Sequence, residues 1–194
     1  MPKKTSKRKK VKRKSPWLKF TIAMIILVCG LLYILQKYSG LDISKDLLKG
    51  YIPKTEIEVA LYFTDPHSDY LVDEQRIIKN VFSQKQKITK TIEELIKGPK
   101  GKLIHTIPSA TRLKDAGIDS NGVVWLDFTS NLSQDHPGGS SSEIMTVYSI
   151  VNTVLLNFNE VTKVRILIDG AEVKTLAGHI DCSKPFVVDK EFIK

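Results

Sequence analysis

From Phe20 to Leu35 the chain runs without one charged residue, through Ile22, Ile25, Ile26, Leu27, Val28, Leu31, Leu32 and Ile34. With Trp17 and Tyr38 as flanking aromatics, the stretch covers residues 17–38. At ~1.5 Å per residue, a helix of that length reaches across a hydrocarbon core of about 30 Å. Aromatic side chains at both ends suit the two interfaces of a bilayer. Just before it, residues 1–14 hold nine basic groups (Lys3, Lys4, Lys7, Arg8, Lys9, Lys10, Lys12, Arg13 and Lys14) and no acid. Only Lys37, Lys45 and Lys49 follow soon after. That asymmetry predicts a basic cytoplasmic tail (residues 1–16), a transmembrane helix (17–38) and everything later outside the cytoplasm.

Two other readings of the segment stay open. A cleavable signal peptide would have a shorter apolar region and small residues at the cut, whereas here the run continues through Leu31, Leu32, Tyr33, Ile34 and Leu35. A lipoprotein signal would place a small residue before the lipidated cysteine, and Val28 precedes Cys29. The basic tail itself reads as a topology signal with attraction to anionic lipid, worth about 1 kcal/mol per basic residue near the surface. A cytoplasmic contact with nucleic acid or an acidic partner is the sharper alternative.

The whole chain has 30 basic and 21 acidic residues, a net charge of +9. Removing residues 1–14 leaves 21 of each sign. A nucleic-acid-binding fold carries its positive charge on a folded surface, so none is expected in the body of the chain. Cys29 lies in the apolar span and Cys182 stands alone beyond it, which excludes an intrachain disulfide in the exterior part. Its core must hold it, and Cys182 is either a small buried thiol or a reactive one.

Residues 39–55 read as a juxtamembrane linker, and a single domain is expected over 56–190. Ile57, Val59, Leu61 and Phe63 alternate onto one face of a strand. After a turn at Asp65-Pro66-His67-Ser68-Asp69, Leu71 to Ile78 forms its weaker hairpin partner. Ser83 and Gln86 have capping-box spacing ahead of Ile88, Ile92, Leu95 and Ile96, and Gly98-Pro99 stops that helix. Residues 112–116 and 123–128 form a second hairpin around Asp119-Ser120-Asn121-Gly122. Ser140 and Glu143 repeat the capping-box spacing and open a helix with an apolar stripe (Ile144, Val147, Tyr148, Val151, Val154, Leu155, Phe158) closing near Asn159. Val161 to Ile168 is the last firm strand, ending in Asp169-Gly170, with a shorter strand or extended tail to residue 190. The expectation is an α+β fold with a single sheet and both helices packed on one face, preceded by one N-terminal transmembrane helix.

Candidate chemistry is sparse. His67, His105, His136 and His179 occur at no metal-ligand spacing, and neither H-E-x-x-H nor C-x-x-C is present. Folding could still bring His67/Asp69, Asp135/His136 and His179/Asp181 together around zinc. G-x-S-x-G is absent. The acid pairs Asp73-Glu74 and Glu93-Glu94 are expected on turn and helix surfaces rather than at a glycosidic site. Gly138, Gly139 and Ser140 place glycines and a hydroxyl at a helix N-terminus, a setting that favours an anion such as a carboxylate or phosphate of a cell-wall polymer. Ser140 also explains itself as a cap. No catalytic residue, metal or cofactor is assigned. The weak binding candidates are Gly138, Gly139, Ser140 and His179.

Five segments in order resemble one family. They are Leu95-Ile96-Lys97-Gly98-Pro99; Ile107-Pro108-Ser109-Ala110-Thr111-Arg112-Leu113; Val124-Trp125-Leu126-Asp127-Phe128; Val164-Arg165-Ile166-Leu167-Ile168-Asp169-Gly170; and Leu176-Ala177-Gly178-His179. Together they make residues 56–188 similar to the GerMN domain of spore-germination and sporulation proteins. The resemblance implies a small α+β module related to ring-building domains, held outside the cytoplasmic membrane and acting without catalytic residues. It implies action by assembly or by contact with envelope components; with the apolar span and the balanced charge of the body, the expected partners are the cytoplasmic membrane, envelope proteins or peptidoglycan, and further copies of itself, with no nucleic acid. The alternative is a peptidoglycan-directed enzyme or enzyme accessory, or an anion- or polymer-binding module, using residues 131–142 and His179.

Overall fold

The computed structural model of the protein describes residues 16–39 and 55–194. The basic run 1–14 and linker residues 40–54 lie outside them. The chain divides into two units, Met1–Pro53 and Lys54–Lys194. In the first, helix α1 (Pro16–Ser39) is continuous for 24 residues. Side chains are described without interruption only across 19–35, and over the described residues no helix is long and apolar enough to cross a membrane.

The second unit contains β1 (Ile57–Thr64), β2 (Leu71–Ile78), α2 (Gln84–Ile96), β3 (Leu113–Ile118), β4 (Val123–Phe128), a short α3 (Asn131–Gln134), α4 (Ser140–Asn157), β5 (Lys163–Ile168) and β6 (Ala171–Glu172). The α+β class holds, but the expected single sheet does not. β1 and β2 form their own antiparallel pair, and the other four strands make a separate sheet in the order β3-β4-β5-β6.

The reason for the split lies on α4. Ser149, Thr153 and Asn157 recur every four residues on one face of this helix. Thr153 Oγ1 accepts the Tyr62 N–H at 3.1 Å, and Ser149 Oγ donates to the Tyr62 carbonyl at 2.6 Å. Asn157 does both for Ala60, accepting its N–H at 2.9 Å and donating to its carbonyl at 2.7 Å. These side chains occupy the β1 edge where another strand would pair, so β1 is capped by a helix instead of joining the larger sheet. Ile104 pairs with Thr64 further along the same edge, so the stretch from Ala60 to Thr64 exposes no unpaired ladder.

Most of α4 is therefore buried, from Glu143 through Leu155, rather than apolar on a single stripe. It packs against β1, α2 and β5. The main core joins Leu61 and Phe63 of β1, Ile88 and Ile92 of α2, Leu126 and Phe128 of β4, Val147 and Val151 of α4, and Ile166 of β5. β4 and β5 run parallel, with Val124 beside Val164 and Leu126 beside Ile166. A parallel pair needs a long crossover, which α3 and α4 supply.

Local signals behave as chemistry dictates. Ser83 Oγ caps α2 by accepting the Gln86 N–H at 3.2 Å, while Gln86 Oε1 reaches back to the Phe82 N–H at 2.9 Å. Asp119 Oδ1 accepts the N–H groups of Asn121 and Val123 in the β3–β4 turn. Asp169 and Gly170, with φ of 50° and 80°, turn β5 into β6 in the left-handed conformation that Asp-Gly hairpins require. The C-terminal residues also belong to the packing. Phe192 and Ile193 sit against Tyr62, Leu71 and Met145. The Phe192 carbonyl accepts the Leu71 N–H at 2.7 Å, and the Lys194 N–H donates to the Leu71 carbonyl at 3.0 Å.

Candidate functional site

The start of α4 is where the candidate residues gather. Gly138 and Gly139 both adopt positive φ, 80° and 86°, and Gly139 is the N-cap, with no side-chain capping bond. Ser140 is thus the exposed first residue of the helix, not its cap. Glu143 closes no capping box either. Its side chain is fully buried and turns onto the loop after β6. Oε1 accepts the N–H groups of Leu176 at 2.8 Å and Ala177 at 3.0 Å, and Oε2 accepts that of His179 at 2.8 Å. Burial works to raise the Glu143 pKa, but the N–H groups of Ala177, His179, Leu176 and Ile180 outweigh it and hold the carboxyl below its ordinary value.

His179 therefore reaches the first turn of α4 through its backbone, with its side chain exposed. Ser133 Oγ ties the same loop down by donating to the Leu176 carbonyl. Cys182, in this loop, is buried, and burial with the nearby Glu143 charge pushes its thiol up to about 11. It is a packed thiol rather than a nucleophile.

Beside this strap lies an open cleft of about 540 Å³. One wall is the segment 104–109, another Asp135 and Pro137, and the floor is the first turns of α4 with Ser141, Ser142, Met145 and Thr146. Asp69, His105 and Asp135 line it, whereas Gly138, Gly139, Ser140 and His179 do not. Its inner hydroxyls are committed to structure. Thr146 Oγ1 donates to the Thr106 carbonyl, Thr106 Oγ1 donates to Ser149 Oγ at 2.6 Å, and Ser149 donates onward to the Tyr62 carbonyl. His136 belongs to the same network. Its Nδ1 accepts the Gly138 N–H at 3.0 Å, which leaves the proton on Nε2, 3.0 Å from Thr146 Oγ1. Burial, against the smaller opposing pull of Glu143, lowers the His136 pKa. No nucleophile and base meet in the cleft, and among the described residues no three of His, Cys, Asp and Glu cluster as metal ligands.

The acid pairs expected on surfaces are partly elsewhere. Arg76 on β2, 5% exposed, donates from Nε to Glu74 at 2.9 Å, from Nη1 to Glu94 at 3.1 Å and from Nη2 to the Gly98 carbonyl at 2.7 Å. Glu74 also takes the N–H groups of Lys100 and Gly101 at 3.0 and 3.1 Å. This network pins the turn after α2 to β2. Gly98, at φ 86°, lies against His105, whose Cε1 would stand 1.8 Å from an added Cβ. The only sequence signal for the network was an arginine at an inward position of an alternating strand.

A two-stranded pair and a four-stranded sheet joined through one buried helix, with a hydroxyl-rich cleft at that helix's start, define a small α+β module. The chain belongs to the family described as sporulation and spore germination (Germane), matched over residues 60–174. Its fold is similar to a candidate lipoprotein of Clostridium perfringens, at 28% identity and a TM-score of 0.50, covering 68% of this chain and 87% of that one. It is also similar to the first GerMN domain of the sporulation protein GerM from Bacillus subtilis, at 20% identity and a TM-score of 0.55, covering 69% of this chain and 98% of that one. In the tandem GerMN domains of the same protein the identity is 20% and the TM-score 0.54, covering 70% of this chain and 47% of that one. No curated protein matches the chain.

Proposed function

We propose that the protein is a single-pass membrane protein whose family domain stands outside the cytoplasm and acts there by binding other envelope components, without catalysis, in sporulation or germination. The observation that carries this reading is α1. It is helical for 24 residues, or roughly 36 Å at the helical rise. Its large apolar side chains, Trp17, Phe20, Ile25, Leu27, Leu31 and Ile34 among them, are exposed. A helix apolar on every face needs lipid or protein around it, and the nine preceding basic residues favour a cytoplasmic N-terminus. The similar Clostridium perfringens protein is a candidate lipoprotein, which supports a membrane association for this chain too.

A non-catalytic role is supported by how the buried polar groups are used. Glu143, His136, Thr146, Ser149 and Arg76 all hold backbone or one another in place. The test is a pair of carboxyl-terminal reporter fusions, one active only outside the cytoplasm and one only inside, together with spore counts in a strain lacking the gene. External activity with reduced sporulation or germination is expected. A reporter active only inside overturns the reading.

A further inference from the structure

We infer that the outer edge of β2, residues 73–77, is a pairing surface for a second copy of this chain, joined by antiparallel strand addition about a two-fold axis at Gln75. The inference rests on the anchored-module reading above and names one partner for it. In the hairpin, Leu71 points its N–H and C=O away from β1, because both bond the C-terminal tail at Phe192 and Lys194. Tyr70 faces the other way, since its carbonyl accepts the Asp65 N–H at 2.9 Å. Backbone direction alternates along a strand, so Asp73, Gln75 and Ile77 also direct their N–H and C=O outward. Among the described residues no partner pairs with that edge beyond Leu71.

Both ends of the open stretch are closed. The tail bridges Leu71 through Ile193 at one end, and Lys90 Nζ donates to the carbonyls of Lys79 and Asn80 at the other. Three outward rungs centred on Gln75 therefore remain, and a segment with its own midpoint as centre is self-complementary under a two-fold rotation. The open stretch has no bulge to turn it away from a partner: it is straight in register with β1, and Ile77 on it is 65% exposed. By contrast, of the two edges of the larger sheet, β6 is only two residues long, and β3 carries a register break between Leu113 and Asp115 and the exposed charges Lys114 and Asp115.

Charge decides between a second copy and a foreign strand. Asp73 lies at one end of the open stretch and exposed Lys79, 3.4 Å from the exposed Glu56, just past the other. With Gln75 on the axis, Asp73 pairs with Ile77 of the second copy and is diagonal to its Lys79, a separation long side chains reach. Both such pairs form at once. The buried area of one added strand is small, so the association is weak in solution and strengthened where anchors confine both copies to one membrane.

The experiment uses the full chain in detergent micelles, with dimer fraction measured by sedimentation over a concentration series and thermal unfolding followed in parallel. Gln75→Pro removes an outward N–H without touching the β1 ladder and is expected to weaken dimerisation about ten-fold or more, the cost of losing the central rungs, with unchanged unfolding. Asp73→Lys and Lys79→Asp are each expected to weaken it about five-fold, and the double swap to restore it. A wild-type chain that stays monomeric, or a Gln75→Pro variant that dimerises equally well, overturns the inference. So does a monomeric wild type that Gln75→Pro destabilises, which would put another segment of this chain on the edge. None of these results changes the side of the membrane read by the reporter fusions, so the pairing and the anchored-module reading fail separately.

Discussion

Glu143 sits at the third residue after the first of α4 and looks in the sequence like half of a capping box, yet its carboxylate organises a loop more than thirty positions later. A buried carboxylate that accepts several backbone N–H groups is worth keeping ionised, and its loss leaves those donors unpaired. Glu143→Gln is expected to destabilise the domain by about 2–4 kcal/mol, measured by urea unfolding. The pH dependence follows from the lowered pKa. The unfolded chain takes up the Glu143 proton at higher pH than the folded one, so this stabilisation is complete above the ordinary glutamate range and is lost as pH falls toward the folded value. The lowered His136 pKa acts in the same direction at higher pH, because the folded state resists protonation just below the ordinary histidine range. Stability should therefore fall in two stages on acidification. Glu143→Gln should shrink the lower stage without removing it, because the Glu74 and Glu94 carboxyls are also held below their ordinary values; an acid limb identical to wild type would remove Glu143 from this account. Gly98 supplies a second residue-scale test. Gly98→Ala meets both a left-handed backbone and the His105 ring, for an expected loss of about 1–3 kcal/mol. The added substitution His105→Ala should recover the steric part and leave the backbone part, so complete recovery would show that φ costs nothing there.

At the scale of elements, strand alternation in Ile57–Phe63 and Val124–Phe128 and the turn chemistry of Asp119–Gly122 and Asp169–Gly170 make the hairpins readable from sequence, because those signals are local. The division into two sheets is not local. It depends on Ser149, Thr153 and Asn157 meeting the β1 backbone from about ninety residues away. Their spacing of four was visible as a polar stripe on an otherwise apolar helix, but spacing alone does not say whether a stripe faces water or another backbone. The candidate site suffered the same limit: glycines and hydroxyls marked the start of α4 correctly, while the cleft walls at 104–109 and the Glu143 strap required tertiary contacts. Asn157→Leu keeps the volume and leaves the Ala60 N–H and carbonyl without their partner. An expected loss of about 1–3 kcal/mol, with faster hydrogen exchange at Ala60 than at Leu61, checks the pseudo-strand role; unchanged exchange at Ala60 would refute it. The turn after α2 answers to Arg76 in the same way. Arg76→Met removes a guanidinium shared by Glu74, Glu94 and Gly98, and about 2–4 kcal/mol should go with it. Glu74→Gln in that background should return part of the loss, since one uncompensated carboxylate then disappears. No return at all would mean the network contributes through packing alone.

For the whole molecule, charge is divided by position rather than spread. Nine basic groups precede α1, and what remains is balanced at 21 of each sign. The domain over residues 54–194, with 17 basic and 19 acidic residues and its buried acids and arginine internally paired, has little electrostatic reason to seek nucleic acid or to lie on an anionic membrane. A basic run beside an apolar helix has a strong reason to stay on the cytoplasmic face. On the proposed anchored reading the two halves set location and activity separately, and this separation can be tested without knowing the partner. Replacing the nine basic residues with Ser or Gln should leave the unfolding midpoint of the domain unchanged while lowering the fraction of molecules whose carboxyl-terminal reporter is active outside. Adding lysines after residue 39 in that background should lower it further, because orientation follows the difference in Lys and Arg across the span. If the reporter instead remains fully external in both variants, orientation is set by translocation of the folded domain or by processing of the segment. The tail would then be left as a lipid contact with no topological role.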